Sequence, residues 1–254
     1  MPADEVDLFV IGGGSGGVRA ARVAASLGAR VALAEERWLG GTCVNVGCIP
    51  KKILAYGTHV GHELDDARGL GWTIPEARFD WAALLGAKDV EVRRLNGVYR
   101  SLLEKAGVHI HDARATLAGP GQVRVGEHIV RARHVLLATG GRPHRLACEG
   151  AELAWTSDDV FFLDRFPAKV AVVGVGYIGL ELASVLAGAG AEVVVIGRQD
   201  RVLTRFDPDV QAHVRAEMEK RGVRFSLGDP VRRLERAGSG LAVVRERGEP
   251  VRAD

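Results

Sequence analysis

The sequence is poor in cysteine, in net charge and in long apolar runs. Three cysteines in 254 residues are too few for a disulfide scaffold. A net charge of +2 gives no electrostatic case for nucleic acid or an anionic membrane as partner. No apolar stretch reaches the roughly 20 residues of a membrane span. The opening residues, Met1 to Asp4, lead through further acids straight into a strand pattern, so no secretory leader is expected. His59 and His62 are three apart, but no cysteine or acid cluster completes a metal site around them. They read as surface or packing histidines, and no metal is expected.

What is present describes a soluble globular protein, 47% hydrophobic and 26% charged, which excludes disorder. The length allows one large domain or two of ordinary size. Glycine is abundant, with 33 residues, as suits a chain with several nucleotide-binding turns.

Two of the cysteines stand in Gly40-Gly41-Thr42-Cys43-Val44-Asn45-Val46-Gly47-Cys48-Ile49-Pro50-Lys51-Lys52. Their spacing suits a short disulfide loop that opens and closes. Pro50 is tolerated in the first turn of a helix and no further in, which places Cys48 near a helix N-terminus. Free N–H groups and the helix dipole favour a thiolate there, so a low-pKa redox dithiol is expected. Two buried structural cysteines would explain the residue types, but not the glycines around them or the lysines behind. Cys148 is left as a spare thiol, and the set fits a reducing cytoplasm.

Val6–Ile11 predicts a strand buried on both faces. It is followed by Gly12-Gly13-Gly14-Ser15-Gly16-Gly17, an Ala-rich helix from Val18 to Leu27, a strand from Arg30 to Ala34, and Glu35 at that strand's end. Gly12, Gly14 and Gly17 form G-x-G-x-x-G in the context a βαβ dinucleotide site requires. The glycines admit a pyrophosphate, the helix N-terminus holds its charge, and Glu35 can take ribose hydroxyls.

The fingerprint recurs. Lys169–Val173 predicts a second buried strand, Gly174-Val175-Gly176-Tyr177-Ile178-Gly179 the turn, Leu180–Leu186 a helix and Ala191–Ile196 the next strand. The internal repeat gives two dinucleotide sites, most economically one flavin and one nicotinamide. An NAD site wants an acid at the tip of the second strand. Here the tip carries Arg198, with Arg201 and Arg205 beyond, and cations suit a 2′-phosphate, so NADPH is expected. A merely solvated loop of arginines is the competing reading.

The run from Gly40 to Lys52 resembles the active-site motif of the pyridine nucleotide-disulfide oxidoreductases, and its Lys51-Lys52 ending is closest to the glutathione reductase branch. The resemblance implies an α/β chain of two Rossmann-like units, a FAD-binding domain over 1–145 and an NAD(P)H-binding domain over 146–254. It implies FAD on the first fingerprint, contacted also by Ser15, Gly16, Thr42, Ala115, Ala138, Thr139, Gly140 and Ser157. Lys51 would lie near the flavin, paired with Glu181 across the two domains. Tyr177 would cover the flavin until nicotinamide displaces it, and Ile178 would belong to the nicotinamide side. Electrons would pass from NADPH through FAD to a Cys43–Cys48 disulfide and on to glutathione disulfide. Cys48 would face the flavin and Cys43 would attack the substrate. Ser15, Arg22 and Tyr99 fall at the branch's substrate-contacting positions, although Arg22 reads equally well as an exposed helix charge. Arg19, one turn away, argues against a cationic substrate. The chain departs from the NADPH-binding pattern at Gly179 and Thr204.

Between the fingerprints, helices are expected over Lys52–Asp66 and Trp81–Lys105. Short strands are expected at Val108–Ile110, Ala113–Leu117, Gln122–Val125, His128–Val130 and His134–Leu137. After Pro208 a helix to about Arg221 and strands at Val223–Ser226, Val231–Glu235 and Leu241–Arg245 follow. The resemblance implies a further flavin contact and a dimerisation domain beyond Asp254, the latter bringing a proton-transferring His-Glu pair. The expectation is therefore a fragment or truncated product, without the family's homodimer and with impaired turnover. Two alternatives stay open. One is a nucleotide-binding module with at most diaphorase-like activity. The other is a mercuric reductase or lipoamide dehydrogenase type of enzyme.

Overall fold

A computed structural model describes residues 5–254; the acidic opening at residues 1–4 lies outside the described residues. In chain order it begins with β1 (Glu5–Ile11), α1 (Ser15–Ser26), β2 (Val31–Ala34), α2 (Gly41–Asn45), α3 (Cys48–Gly69), α4 (Trp81–Lys105) and β3 (His109–His111). It continues through β4 (Ala115–Gly119), β5 (Gln122–Val125), β6 (His128–Leu137), β7 (Lys169–Val173), α5 (Tyr177–Gly188) and β8 (Glu192–Gly197). The last elements are α6 (Pro208–Lys220), β9 (Arg224–Leu227), β10 (Val231–Ala237), β11 (Gly240–Arg245) and β12 (Val251–Ala253). Two compact units result. One joins the chain up to Pro50 with Ala87–Arg142, and the other joins Lys51–Gly86 with Pro143–Asp254.

In the first unit a six-stranded sheet runs β3-β2-β1-β6-β5-β4. The four strands β3, β2, β1 and β6 pair in parallel, and β5 and β4 extend them as an antiparallel ribbon. Phe9 and Val10 are wholly buried, one toward each face, as the apolar run of β1 requires for a strand covered on both sides. On one face Val10, Val18, Ala21, Leu33 and Leu103 pack together, which seats α1 and α4. On the other, Phe9 meets Val123 and Val125 from the antiparallel ribbon and Val130 of β6. The two strands expected at His128–Val130 and His134–Leu137 are one continuous strand. Arg131 and Ala132 pair with Glu5 and Val6 of β1, so nothing interrupts the ladder between them.

In the second unit β7, β8 and β9 form a parallel sheet. The meander β10-β11-β12 packs its Leu234 and Val243 onto Val194 and Ile196 of β8. β12, absent from the expectations, pairs with β11. The Ala191–Ile196 and Val223–Ser226 strands are each displaced by one residue, to Glu192–Gly197 and Arg224–Leu227. β7 corrects the expected burial. As an edge strand it has residues half-buried at best, and Val173 is exposed. The central β8 takes the buried role instead, with α5 supplying Leu182, Val185 and Leu186 to the core. Cys148 joins the meander's core as a packing residue, and burial pushes its thiol pKa up. α3 belongs to this unit from Lys51 onward. Gly188 of α5 leaves room for Thr58 of α3, since a Cβ there would sit 3.2 Å from Thr58 Cβ. Trp81 Nε1 donates to Leu163 O at 3.0 Å. His59 lies 3.8 Å from Glu63 one turn on.

His111 on β3 stacks on Phe9 at 5.8 Å between ring centroids, and its buried Nε2 has no hydrogen-bond partner among the described residues. Burial lowers its pKa from 6.5, and His109 and His128 lower it further. The unfolded chain therefore binds this proton more readily than the folded one. Stability is full above the ordinary value of 6.5 and is lost as pH falls below it. Replacing His111 by Phe should flatten the fall of Tm on the acid side. An unchanged slope would mean that other groups carry the acid sensitivity.

Candidate functional site

The first fingerprint folds as a steric necessity. A Cβ on Gly17 would lie 1.9 Å from Gly12 O, so α1 can press against the strand end only without one. At Gly14, by contrast, an added Cβ would meet nothing closer than Gly41 Cα at 3.7 Å, and the backbone is ordinary at φ −78°. The protein itself does not demand glycine there. Space is left above the N-terminus of α1, whose first N–H groups have no side-chain cap. That cradle fits a pyrophosphate. The second fingerprint repeats it. Gly179 would clash with Gly174 O at 2.5 Å, whereas Gly176 has nothing within 4 Å and α5 is likewise uncapped by a side chain.

Three segments converge on the first turn. Gly13 N donates to Glu35 Oε2 at 2.7 Å and Arg37 N to Glu35 Oε1 at 2.8 Å. Each carboxylate oxygen keeps a free lone pair for ribose hydroxyls. Ala138 N donates to Ile11 O at 2.8 Å, which sets Ala138-Thr139-Gly140 at the strand end. Gly40 N donates to Gly13 O at 2.8 Å, and Gly41 lies against Gly14. The dithiol loop is thus locked onto the turn. Ala115 packs half-buried on the sheet. Ser157 and the Tyr177-Ile178 start of α5 belong to the second unit, where Tyr177 and Ile178 are exposed. Thr42 is exposed on α2.

Cys43 lies on α2 and Cys48 heads α3, as Pro50 implied. Gly47 closes the loop between them, since a Cβ would stand 2.8 Å from Thr42 O. Both cysteines are free thiols, Cys48 exposed and Cys43 half-buried. The expected low-pKa dithiol is corrected at Cys43. Burial first, then the contact with Cys48, pushes its pKa up to about 11. An acidic thiol pair was expected from the helix dipole, but desolvation opposes the charged form of a side chain shielded from water.

Sequence reading missed what holds this loop. Asn45 is 5% exposed, and its Nδ2 donates to Gly41 O and Leu39 O. Asn96 of α4 donates to Leu39 O at 2.8 Å and to Asn45 Oδ1 at 3.0 Å. The available signal was an Asn inside a long helix, where its propensity is poor.

Lys51 Nζ meets Glu181 Oε1 at 2.8 Å, both half-exposed. Such a pair contributes about 0–1 kcal/mol, so its importance lies in where it holds the charge, one turn along the helix from Cys48. The sequence division placed the two residues in different domains, whereas both fall in the second compact unit.

Arg22 lines a groove of about 350 Å³ between α1 and α4 with Arg19, Lys105, Val23 and Leu102. Ser15 is exposed at the start of α1, and Tyr99 packs half-buried on the core beneath α1 and α4. Ser15 and Tyr99 do not line this groove. In the second unit, Leu203 N donates to Val175 O at 2.9 Å, and Val202 and Leu203 are buried. The loop bearing Arg198, Arg201 and Arg205 is thereby pinned beside the second fingerprint. Arg201 touches Asp200 at 4.0 Å. Arg198 and Arg205 have no ion-pair partner among the described residues.

Two glycine-rich βαβ turns, with a two-cysteine loop hydrogen-bonded to the first of them, define the class of fold. The model of the pyridine nucleotide-disulphide oxidoreductase family matches residues 6–254, and the chain belongs to that family. It is 46% identical to a glutathione reductase of Burkholderia cepacia over 254 residues, all of this chain and 57% of that protein. It is 42% identical to one from a Nostoc species, over 98% of this chain and 55% of the relative. It is 38% identical to a chloroplastic/mitochondrial glutathione reductase of Pisum sativum, over 96% of this chain and 46% of the relative. The chain spans about half the length of the curated relatives it matches.

Two outcomes test the site. Asn96→Ala removes the donor to Leu39 O and Asn45 Oδ1 and should destabilise the chain by about 1–3 kcal/mol in denaturant unfolding; a change near zero would show the pair is water-replaceable. Alkylation of the reduced chain at pH 8, read by mass spectrometry, should label Cys48 well before Cys43, because a thiol of pKa about 11 is only about one part in a thousand thiolate there. Equal rates would contradict the raised Cys43 value.

Proposed function

We propose that the protein is a flavoprotein disulfide reductase, carrying electrons from NADPH through FAD to a Cys43–Cys48 disulfide and on to glutathione disulfide. The observation that carries this reading is the lock between the dithiol loop and the first fingerprint, Gly40 N to Gly13 O at 2.8 Å. It ties the redox pair to the pyrophosphate cradle of the same unit. Names of relatives from three lineages point the same way.

Gly12, Gly14, Ser15, Gly16 and Gly17, Glu35, Thr42, Ala115, Ala138, Thr139 and Gly140 would hold FAD, with Ser157 added by resemblance. FAD, when bound, supplies the exchange between a two-electron hydride donor and a thiol pair. Cys48, exposed at the N-terminus of α3, would be the thiol that faces the flavin. Cys43 keeps its proton at neutral pH, so its attack on a substrate disulfide needs a base to remove that proton. Glu181 holds the Lys51 ammonium in place, a fixed positive charge suited to a reduced, anionic flavin. Tyr177 is exposed at the head of α5, free to cover or uncover a ring.

Gly174, Gly176 and Ile178 would take the nicotinamide nucleotide, and Arg198, Arg201 and Arg205 its 2′-phosphate. The tip of β8 offers no carboxylate for a ribose 2′-hydroxyl, which favours NADPH. Arg22, beside Arg19 and Lys105, suits a glutathione carboxylate, with Ser15 and Tyr99 as neighbouring contacts. A cytoplasmic setting belongs to the same reading and rests on the cysteine composition; no helix among the described residues is long and apolar enough to cross a membrane.

The test is NADPH oxidation by the FAD-loaded protein with and without glutathione disulfide. Glutathione-dependent turnover that Cys43→Ser abolishes is expected. Loss of dependence on the disulfide, with NADPH oxidised equally without it, would favour a diaphorase. Arg198→Glu should lower the preference for NADPH over NADH by about tenfold or more, the equivalent of about 1.4 kcal/mol; an unchanged ratio would reject the NADPH assignment.

A further inference from the structure

The tip of β8 is clamped from both sides. Asp229 N donates to Gly197 O at 3.0 Å and Gly228 N donates to Gln199 O at 2.8 Å. Between these two carbonyls lies Arg198. Gly197 itself is boxed in, since a Cβ there would meet Val175 Cγ1 at 2.5 Å. The backbone around Arg198 is therefore fixed by the turn after β9 and by the second fingerprint, while the Arg198 side chain is exposed.

That turn is anchored in an unusual way for a surface protein segment. Asp229 is 5% exposed. Its Oδ2 accepts from Arg245 Nη1 at 2.8 Å and from Ser226 Oγ at 3.3 Å, and its Oδ1 accepts from Arg247 N at 2.7 Å. Arg245 also donates to Ser226 Oγ and, through Nη2, to Glu249 O at 2.5 Å. Its Nε is buried without a hydrogen-bond partner among the described residues. A buried carboxylate–guanidinium pair is weak as a source of stability, because desolvation offsets its Coulomb gain. Such pairs are better suited to fixing one geometry, and here the geometry fixed is that of the turn holding Arg198.

We propose that Asp229 and Arg245 are positioning residues for nucleotide selectivity: through the Gly228–Asp229 backbone they hold the β8 tip so that Arg198 is presented to the 2′-phosphate. The inference rests on the NADPH reading above. It adds two residues from the meander side of the fold that touch no nucleotide themselves.

The experiment is calorimetric titration of the 254-residue chain with adenosine 2′,5′-bisphosphate and with adenosine 5′-monophosphate. The two share everything except the 2′-phosphate, so the ratio of their affinities reports that contact and cancels general loosening. Asp229→Asn keeps the shape but removes the charge facing Arg245. It should lower the preference for the bisphosphate by about fivefold, the size of a weakened charge-assisted contact, while monophosphate affinity stays within about twofold. Arg245→Lys, which retains a cation but not the fork, should act in the same direction and is the variant to read if Asp229→Asn does not fold. A merely structural pair would lower Tm and leave the ratio unchanged, and that result overturns the proposal. Arg198→Met serves as the reference. If it leaves the ratio unchanged, the NADPH reading itself fails; if it lowers the ratio and the Asp229 and Arg245 variants do not, only the positioning role fails.

Discussion

Everything in the first unit is arranged around one close backbone approach, Gly17 packed under the carbonyl of Gly12. The contact leaves no room for a Cβ, so it sets the angle at which α1 leaves β1 and turns the first N–H groups of the helix outward. A helix terminus uncapped by side chains is then available to an anion. Because the turn is rigid, other segments can be built against it. Glu35 binds Gly13 N, Ala138 follows Ile11 in the ladder, and the dithiol loop hangs on Gly13 O.

The second unit uses the same turn for a different purpose. Gly179 approaches Gly174 as Gly17 approaches Gly12, but the loop tied to this turn is of another kind. It is an arginine-bearing loop, tied to Val175 by Leu203. Leu203 has φ +49°, a left-handed conformation that costs a branched side chain energy. Its burial and hydrogen bond offset that cost. The strand tip that carries an acid in the first unit carries Arg198 in the second. One architecture thus presents opposite charges at equivalent places.

Charge placement in the site follows burial more than residue type. Cys43 and Cys48 are the same residue five positions apart, yet one is half-buried and holds its proton while the other heads a helix in water. Lys51 and Glu181 are too exposed for their pair to add much stability, so their value is positional. Arg19, Arg22 and Lys105 collect on one groove because α1 and α4 pack side by side over the same core.

Local physics in the sequence determined the two βαβ turns, the apolar strand β1, the span of α4 from Trp81 to Lys105 and the helix start at Cys48. Each depends on neighbours a few residues apart, on glycine spacing, apolar periodicity or a proline in a first turn. Tertiary structure alone decided the rest. The single strand from His128 to Leu137 exists because β1 offers an unbroken partner. The exposure of β7 follows from its place at a sheet edge, which no local pattern encodes. The raised thiol pKa of Cys43, the Asn45–Asn96 clasp and the Asp229–Arg245 anchor all join residues far apart in the chain or depend on water exclusion. Desolvation and long-range hydrogen bonding arise only when distant segments meet, and a linear reading carries no measure of either.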